Sequence, residues 1–211
     1  MSRLHDLFHQ IEEHMAQQLD LTEMETRIWE QHGEICAPFI LDSAGFTRAT
    51  QSEGIVHYLS GILRMRKIVS PLLNEFGCIN LRCEADNIFA EFPHPDQAFL
   101  AAKAAIKAVD IAEIPLQGKE LYKVGVGIGY GRVLRSSHEG VFGDEMNLAS
   151  KLGEDIGEAQ AILLTAKAYT DLDEQYKTGF EVQQIRISKV DMTYYQLYLT
   201  NSTIEGGVDH E

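Results

Sequence analysis

The fold of this chain is limited most by the way its hydrophobic period changes along its length. Short unbroken or alternating apolar runs stand at Phe39-Ile40-Leu41, at Ile79/Leu81/Cys83, at Ile88-Phe89-Ala90, through 122–131, at Ile162-Leu163-Leu164 and at 194–199. Runs of this length, rich in Val, Ile and Phe, read as strands, and those without polar alternation as strands buried on both faces. Between them apolar residues recur at three- and four-residue steps, the period of a helix. Residues 50–76 read as two helices, the second over 62–76 with a stop at Gly77. Residues 96–111 form an Ala-rich helix, 142–156 place Leu148, Leu152 and Ile156 on one helical face, and 166–176 are helical again.

Strands and helices alternate, but hairpins interrupt the order, which fits a doubly wound sheet less well. The pattern predicts an α+β fold, a ferredoxin-like antiparallel sheet with flanking helices. Residues 1–32 form a helical segment of their own: Leu4, Leu7, Phe8, Ile11, Met15 and Leu19 make one apolar stripe. Thr22 and Glu25 then have capping-box spacing before a second short helix with Ile28 and Trp29, closed by Gly33. The stripe can dock on the core or pair with a second copy, and docking is the simpler reading. The main domain spans 33–200, and the polar tail 201–211 reads as disordered.

Composition narrows the partners. Eighteen basic against 32 acidic residues give a net charge of -14, which excludes a nucleic-acid polymer as the expected ligand. Cys36, Cys78 and Cys83 have no CxxC spacing and read as free thiols in a reducing compartment. No apolar run approaches the ~20 residues that span a bilayer, and the polar start has no signal-peptide core, so the expected location is cytoplasmic. His5 and His9 sit a helical turn apart without a third ligand and read as a solvated face. Gly125-Val126-Gly127-Ile128-Gly129 lies within a strand, where close backbone packing explains it better than a dinucleotide site.

The chemistry concentrates in two acidic places. In Leu41-Asp42-Ser43-Ala44-Gly45-Phe46-Thr47 a carboxylate leaves a buried strand and a Gly-containing turn leads to a helix N-terminus, whose N–H groups favour phosphate. In Glu84-Ala85-Asp86-Asn87 a second carboxylate sits in a tight turn between apolar strands. Either acid alone reads as a turn former. Two of them at ends of neighbouring strands can cradle a pair of divalent ions about 3.5–4 Å apart, the arrangement used in phosphoryl transfer.

Asp42-x-x-Gly45-Phe46-Thr47, then Ala85-Asp86, then Gly143-Asp144-Glu145-Met146-Asn147-Leu148-Ala149-Ser150-Lys151 resemble, in order and spacing, the class III adenylate/guanylate cyclase catalytic domain, over residues 38–199. The resemblance implies a nucleotidyl cyclase that turns a nucleoside triphosphate into a 3′,5′-cyclic nucleotide and pyrophosphate for intracellular signalling. It implies a head-to-tail homodimer with shared active sites and two Mg²⁺ or Mn²⁺ ions held by Asp42, Asp86 and the Ser43 carbonyl. Arg132 and Lys189 match residues on the triphosphate, and Asn147 matches the asparagine that positions the ribose. In the family arrangement Asp42, Asp86 and Arg132 come from one chain, and Arg82, Asn147, Lys151 and Lys189 from the other.

Three positions depart from the pattern. Arg82 stands where adenylate cyclases place a base-reading lysine, Gly140 where they place a base-reading aspartate, and Lys151 where they place the transition-state arginine. Lys151 keeps the charge without the bidentate fork. ATP is the substrate the family implies, but Arg82 with Gly140 leaves the base open, pyrimidines included. A cyclase-homology domain that binds a nucleotide or a partner without turnover is the alternative from another class.

Overall fold

The computed structural model describes residues 6–18, 20–44, 55–115, 120–187 and 190–199. Gly45, Phe46, Thr47, Lys189 and the tail from 201 therefore lie outside the described residues. Two helices come first, α1 (Leu7–Ala16) and α2 (Leu21–His32). The cap of α2 is Asp20, whose side chain accepts from the Thr22 N–H at 3.1 Å, so the helix starts before the Thr22–Glu25 pair. Gly33 ends α2 and at once begins β1 (Gly33–Ala44).

β1 is far longer than its apolar centre. Its first residues, Gly33 to Cys36, pair with β5 (Gly131–Ser136), and Phe39 to Ala44 pair with β4 (Lys123–Ile128). Pro38, which has no N–H to give a ladder, stands where the strand changes partner, and its carbonyl accepts from Gly129 N–H at 3.0 Å. One helix, α3 (Ile55–Glu75), replaces the second of the two expected over 50–76 and starts earlier. Tyr58, Gly61, Ile62, Met65, Val69 and Leu73 form its buried face, so Gly61 is a packing position against the Tyr122 ring instead of a break.

β2 (Asn80–Glu84) and β3 (Asn87–Phe92) form the expected hairpin, followed by α4 (Pro95–Ile111). After β4 and β5 come β6 (Gly140–Phe142), α5 (Asp144–Ser150) and a π-helical turn (Lys151–Ile156) that continues it. β7 (Ala161–Thr165) leads into α6 (Ala166–Asp171). A 3₁₀ turn, Glu174–Tyr176, is separate because Asp173 caps it, accepting from Gln175 N–H at 3.0 Å. β8 (Glu181–Ile187) and β9 (Val190–Tyr198) complete the described chain.

The sheet runs β2-β3-β1-β4-β7-β9-β8, with β5 on β1 and β6 on β5. Its first four strands, with α3 and α4 as connections, have the split βαβ order of a ferredoxin-like unit. The sheet is mixed, not wholly antiparallel, because β4 and β7 run parallel. A crossover through β5, β6 and α5 supplies the length that a parallel pair needs.

Side-chain alternation divides the layers. Ala37, Phe39 and Leu41 of β1 join α3 and α4 in the main core. Leu152, Ala161, Leu163 and Met192 pack on the opposite face with the π turn. The glycines of β4 let that layer approach: a Cβ at Gly127 would lie 2.4 Å from Ala149 O and from Gly153 N. This is the backbone packing expected of Gly125-Val126-Gly127-Ile128-Gly129. The N-terminal helices dock on the domain through Asp6, which accepts from Ser136 Oγ at 3.0 Å and Ser137 N–H at 3.1 Å, and through an edge contact of Phe8 with Phe142.

Candidate active site

Asp42 and Asp86 are brought together by register. Leu41 pairs with Ile88 across β1 and β3, so Asp42 stands one step beyond that pair, beside the β2–β3 turn that carries Asp86. Asp42 caps no turn: it is a strand residue paired with Gly125 of β4. Ala85 adopts φ +45°, the left-handed conformation a two-residue hairpin turn demands, and its carbonyl accepts from the Arg66 guanidinium.

Alternation sends Asp42 and Ser43 to opposite faces of β1. Burial pushes the Asp42 carboxyl up to about 7, and the charges of Asp86 and Glu154 add to the rise against a backbone bond from Ser43. Ser43, on the α3 side, is buried; its Oγ lies 2.5 Å from the Tyr58 hydroxyl and donates to Asp86 Oδ2. Tyr58 OH is also 3.2 Å from that oxygen.

Two neighbouring carboxylates that offer only hard oxygens fit a divalent cation, whose charge would offset the burial and repulsion that raise Asp42. Among the described residues no group of three or more His, Cys, Asp and Glu side chains forms a metal cage. That composition suits Mg²⁺ or Mn²⁺ better than a closed structural site, since Mg²⁺ is commonly held by one or two carboxylates together with substrate phosphates and water.

The cationic residues are held differently. Arg82 Nε pairs with Glu84 at 2.7 Å, Nη1 donates to the Glu139 carbonyl at 2.7 Å, and the guanidinium lies over Phe89. A Cβ at Gly140 would be 2.2 Å from Arg82 Nη1, and φ there is +92°, so Arg82 occupies the space a side chain at 140 would need. Arg132 lies over the Trp29 ring at 4.6 Å, beside an open cavity of about 400 Å³ lined by Thr22, Glu25, Thr26, Trp29 and Glu30. No described contact joins Arg132 to Asp42 or Asp86. Asn147 is on α5, and Lys151 opens the π turn with its Nζ 4.0 Å from Asp155.

Sequence reasoning missed the hydroxyl of Ser43 and three further residues of this region, Tyr58, Glu154 and Glu145. Ser43 entered only through its carbonyl, Tyr58 carried no signal beyond a helical apolar face, and Glu154 is brought near Asp42 by the π turn. Glu145 is buried and accepts from Tyr130 N–H at 3.1 Å and Thr165 Oγ1 at 2.6 Å, which ties the start of α5, and with it Asn147, to β7 and the β4–β5 turn. The Asp144-Glu145 pair inside the helix motif was its only trace in the sequence.

This mixed sheet with its flanking helices is the fold of the class III adenylate/guanylate cyclase catalytic domain. An adenylate/guanylate cyclase/hydrolase from Silicibacter pomeroyi superposes with a TM-score of 0.68 at 20% identity, covering 80% of this chain and 98% of that one. The adenylyl cyclase CyaB from P. aeruginosa gives 0.63 at 17% identity, with 80% and 96% covered. The guanylate cyclase domain of RhGC from Catenaria anguillulae, in complex with GTP, gives 0.60 at 18% identity, with 77% and 95% covered. No family model matches the chain, and no curated protein matches it by sequence. Among the described residues no helix is long and apolar enough to cross a membrane.

Proposed function

We propose that the chain is a nucleotidyl cyclase, acting inside the cell as a homodimer, that converts a nucleoside triphosphate to a 3′,5′-cyclic nucleotide and pyrophosphate. The observation that carries this reading is the Asp42–Asp86 pair, one carboxylate near the end of β1 and one in the adjoining β2–β3 turn of a cyclase-fold sheet. Asp42, Asp86 and the Ser43 carbonyl would hold Mg²⁺ or Mn²⁺, which supplies a lowered pKa at the ribose 3′-hydroxyl and neutralises phosphate charge.

The chain's own groups do the rest. Arg132 and Lys189 hold the triphosphate and stabilise charge on the departing pyrophosphate. Asn147 of the second chain orients the ribose; the bond forms within one molecule, so positioning supplies much of the rate. Lys151 offers a point charge at the α-phosphate, weaker than a guanidinium fork. Arg82 has only donors, so it selects acceptor atoms on the base, and Gly140 offers no side chain to accept from an adenine amino group.

The second reading, a domain that binds nucleotide or a partner without turnover, is favoured by one observation: Arg82 and Arg132 are both engaged within their own chain. Incubation of the pure protein with each of the four nucleoside triphosphates and Mn²⁺ or Mg²⁺, with products identified by mass, separates the two. A cyclic monophosphate from any of them supports the cyclase. Triphosphate binding with no product from any base supports the second reading.

A further inference from the structure

Resting on the cyclase reading, we propose that Ser43 and Tyr58 are positioning residues that fix the Asp86 carboxylate through Oδ2 and thereby set the site's affinity for the divalent cation and its Mg²⁺/Mn²⁺ preference.

Ser43 is 6% exposed and Tyr58 is 1% exposed, in a core of Phe39, Leu41, Ile62 and Tyr122. A buried hydroxyl costs stability unless it is bonded, and an apolar side chain at 43 would fill a β1 core position without that cost. Here the two hydroxyls lie 2.5 Å apart, and both reach the same carboxylate oxygen. Each hydroxyl has one proton. The shortest contacts order them as Tyr58 O–H to Ser43 Oγ and Ser43 O–H to Asp86 Oδ2, with the longer Tyr58–Asp86 contact as a second branch.

Three chain segments therefore meet at one oxygen: the end of β1, the first turns of α3 and the β2–β3 turn. Ala85 holds that turn in a left-handed conformation, so the carboxylate beside it benefits from an anchor outside its own hairpin. With Oδ2 occupied by hydroxyl donors, Oδ1 is left for a cation, and Asp86 binds through one oxygen. A fixed single-oxygen ligand suits the strict octahedron of Mg²⁺, whereas Mn²⁺ tolerates a looser one. Partners that orient metal ligands typically contribute ten- to a hundredfold to metal affinity.

The test is binding of Mn²⁺ alone, followed by electron paramagnetic resonance, and displacement of it by Mg²⁺. The proteins are wild type, Ser43→Ala, Ser43→Thr, Tyr58→Phe and the Ser43→Ala/Tyr58→Phe double variant, each first melted in chelator to verify folding. Expected are a loss of roughly tenfold in Mg²⁺ affinity for Ser43→Ala, a smaller loss in Mn²⁺ affinity, recovery in Ser43→Thr, and a double variant no worse than Ser43→Ala. Tyr58→Phe keeps the ring in place and serves if Ser43→Ala does not fold. Wild-type Mg²⁺ and Mn²⁺ binding in both single variants overturns the proposal while leaving the cyclase reading intact. Equal losses for both ions without rescue by Thr also overturn it, since that is loosening of the fold. A wild type that binds neither ion overturns both.

Discussion

The two sides of the candidate site are built on different foundations. The acidic corner grows out of the core: Asp42 is a strand residue paired with β4 one step beyond the β1–β3 ladder, and Asp86 is tied to buried hydroxyls of β1 and α3. The cationic side rests on the surface. Arg82 is held by the turn after β5, and Arg132 by a helix ahead of the sheet. Asp6 of that N-terminal segment bonds Ser136 and Ser137, and Ser136 Oγ accepts from the N–H of Glu139, whose carbonyl holds Arg82, so the N-terminal helices touch both arginines' supports. The comparison teaches that the acids are preorganised by folding, while the arginines sit on exposed contacts that substitution or a partner chain can rearrange.

The largest effects belong to the acids. Asp42→Ala and Asp86→Ala each lower turnover by roughly a thousandfold or more, as loss of several kcal/mol of charge stabilisation requires. Near wild-type rates at saturating Mn²⁺ would break the contrast. Next comes the sharing of the site between chains. Equal amounts of Asp42→Ala and Asn147→Ala protein recover about a quarter of wild-type activity, since half the dimers are mixed and each of these holds one complete site of two. No recovery in mixtures known to exchange subunits rules out a shared site.

At the Arg82–Gly140 edge the structure sharpens the base question. Gly140→Asp alone puts a Cβ against Arg82 Nη1 and a side chain at positive φ, so it is poorly active with every triphosphate. Adding Arg82→Lys relieves the collision and moves preference toward ATP, by about tenfold or more in the ratio of kcat/KM values. A double variant with unchanged ratios shows that these positions do not read the base.

The acidic corner also has a pH signature in metal-free protein. The folded-state pKa of Asp42 is raised to about 7 from an unfolded value near 3.9, so its contribution to stability is fully present below the unfolded value and is lost as pH rises through about 7. Asp42→Asn therefore melts close to wild type at pH 4 and above it at pH 8 in chelator. At about 2–4 °C per kcal/mol for a domain of this size, the gap is readily measured. A gap of equal size at both pH values contradicts the assignment. The smallest effect is at Trp29. Its cation–π contact with exposed Arg132 is worth about 0.5–1 kcal/mol, so Trp29→Ala changes KM for the triphosphate within about fivefold and leaves the melting temperature nearly unmoved. A loss comparable to that of the acids would place α2 in the site itself.

The contrast also explains what the sequence made legible. The central strands announce themselves at Phe39-Ile40-Leu41 and Ile162-Leu163-Leu164 because both faces are buried. β8 does not: Glu181–Ile187 is an edge strand, and of the described side chains in Glu-Val-Gln-Gln-Ile-Arg-Ile only Ile185 packs on the second core layer while Val182 is exposed. β1 extends back to Gly33 through Glu34, whose charge hides the strand but pairs with Arg135 at 2.6 Å. Asp42 and Asp86 stand out as acids beside apolar runs. Ser43 and Tyr58 do not, because their value comes from contacts 15 to 43 residues apart along the chain, which no local pattern encodes.

The most direct test of the cyclase reading is the stoichiometry of product release by wild-type protein under a divalent-ion titration. Equal amounts of cyclic monophosphate and pyrophosphate, rising with Mn²⁺ and stopping on addition of chelator, are what the Asp42–Asp86 site predicts. No cyclic product from any of the four triphosphates, or a product that forms equally in chelator, would contradict it.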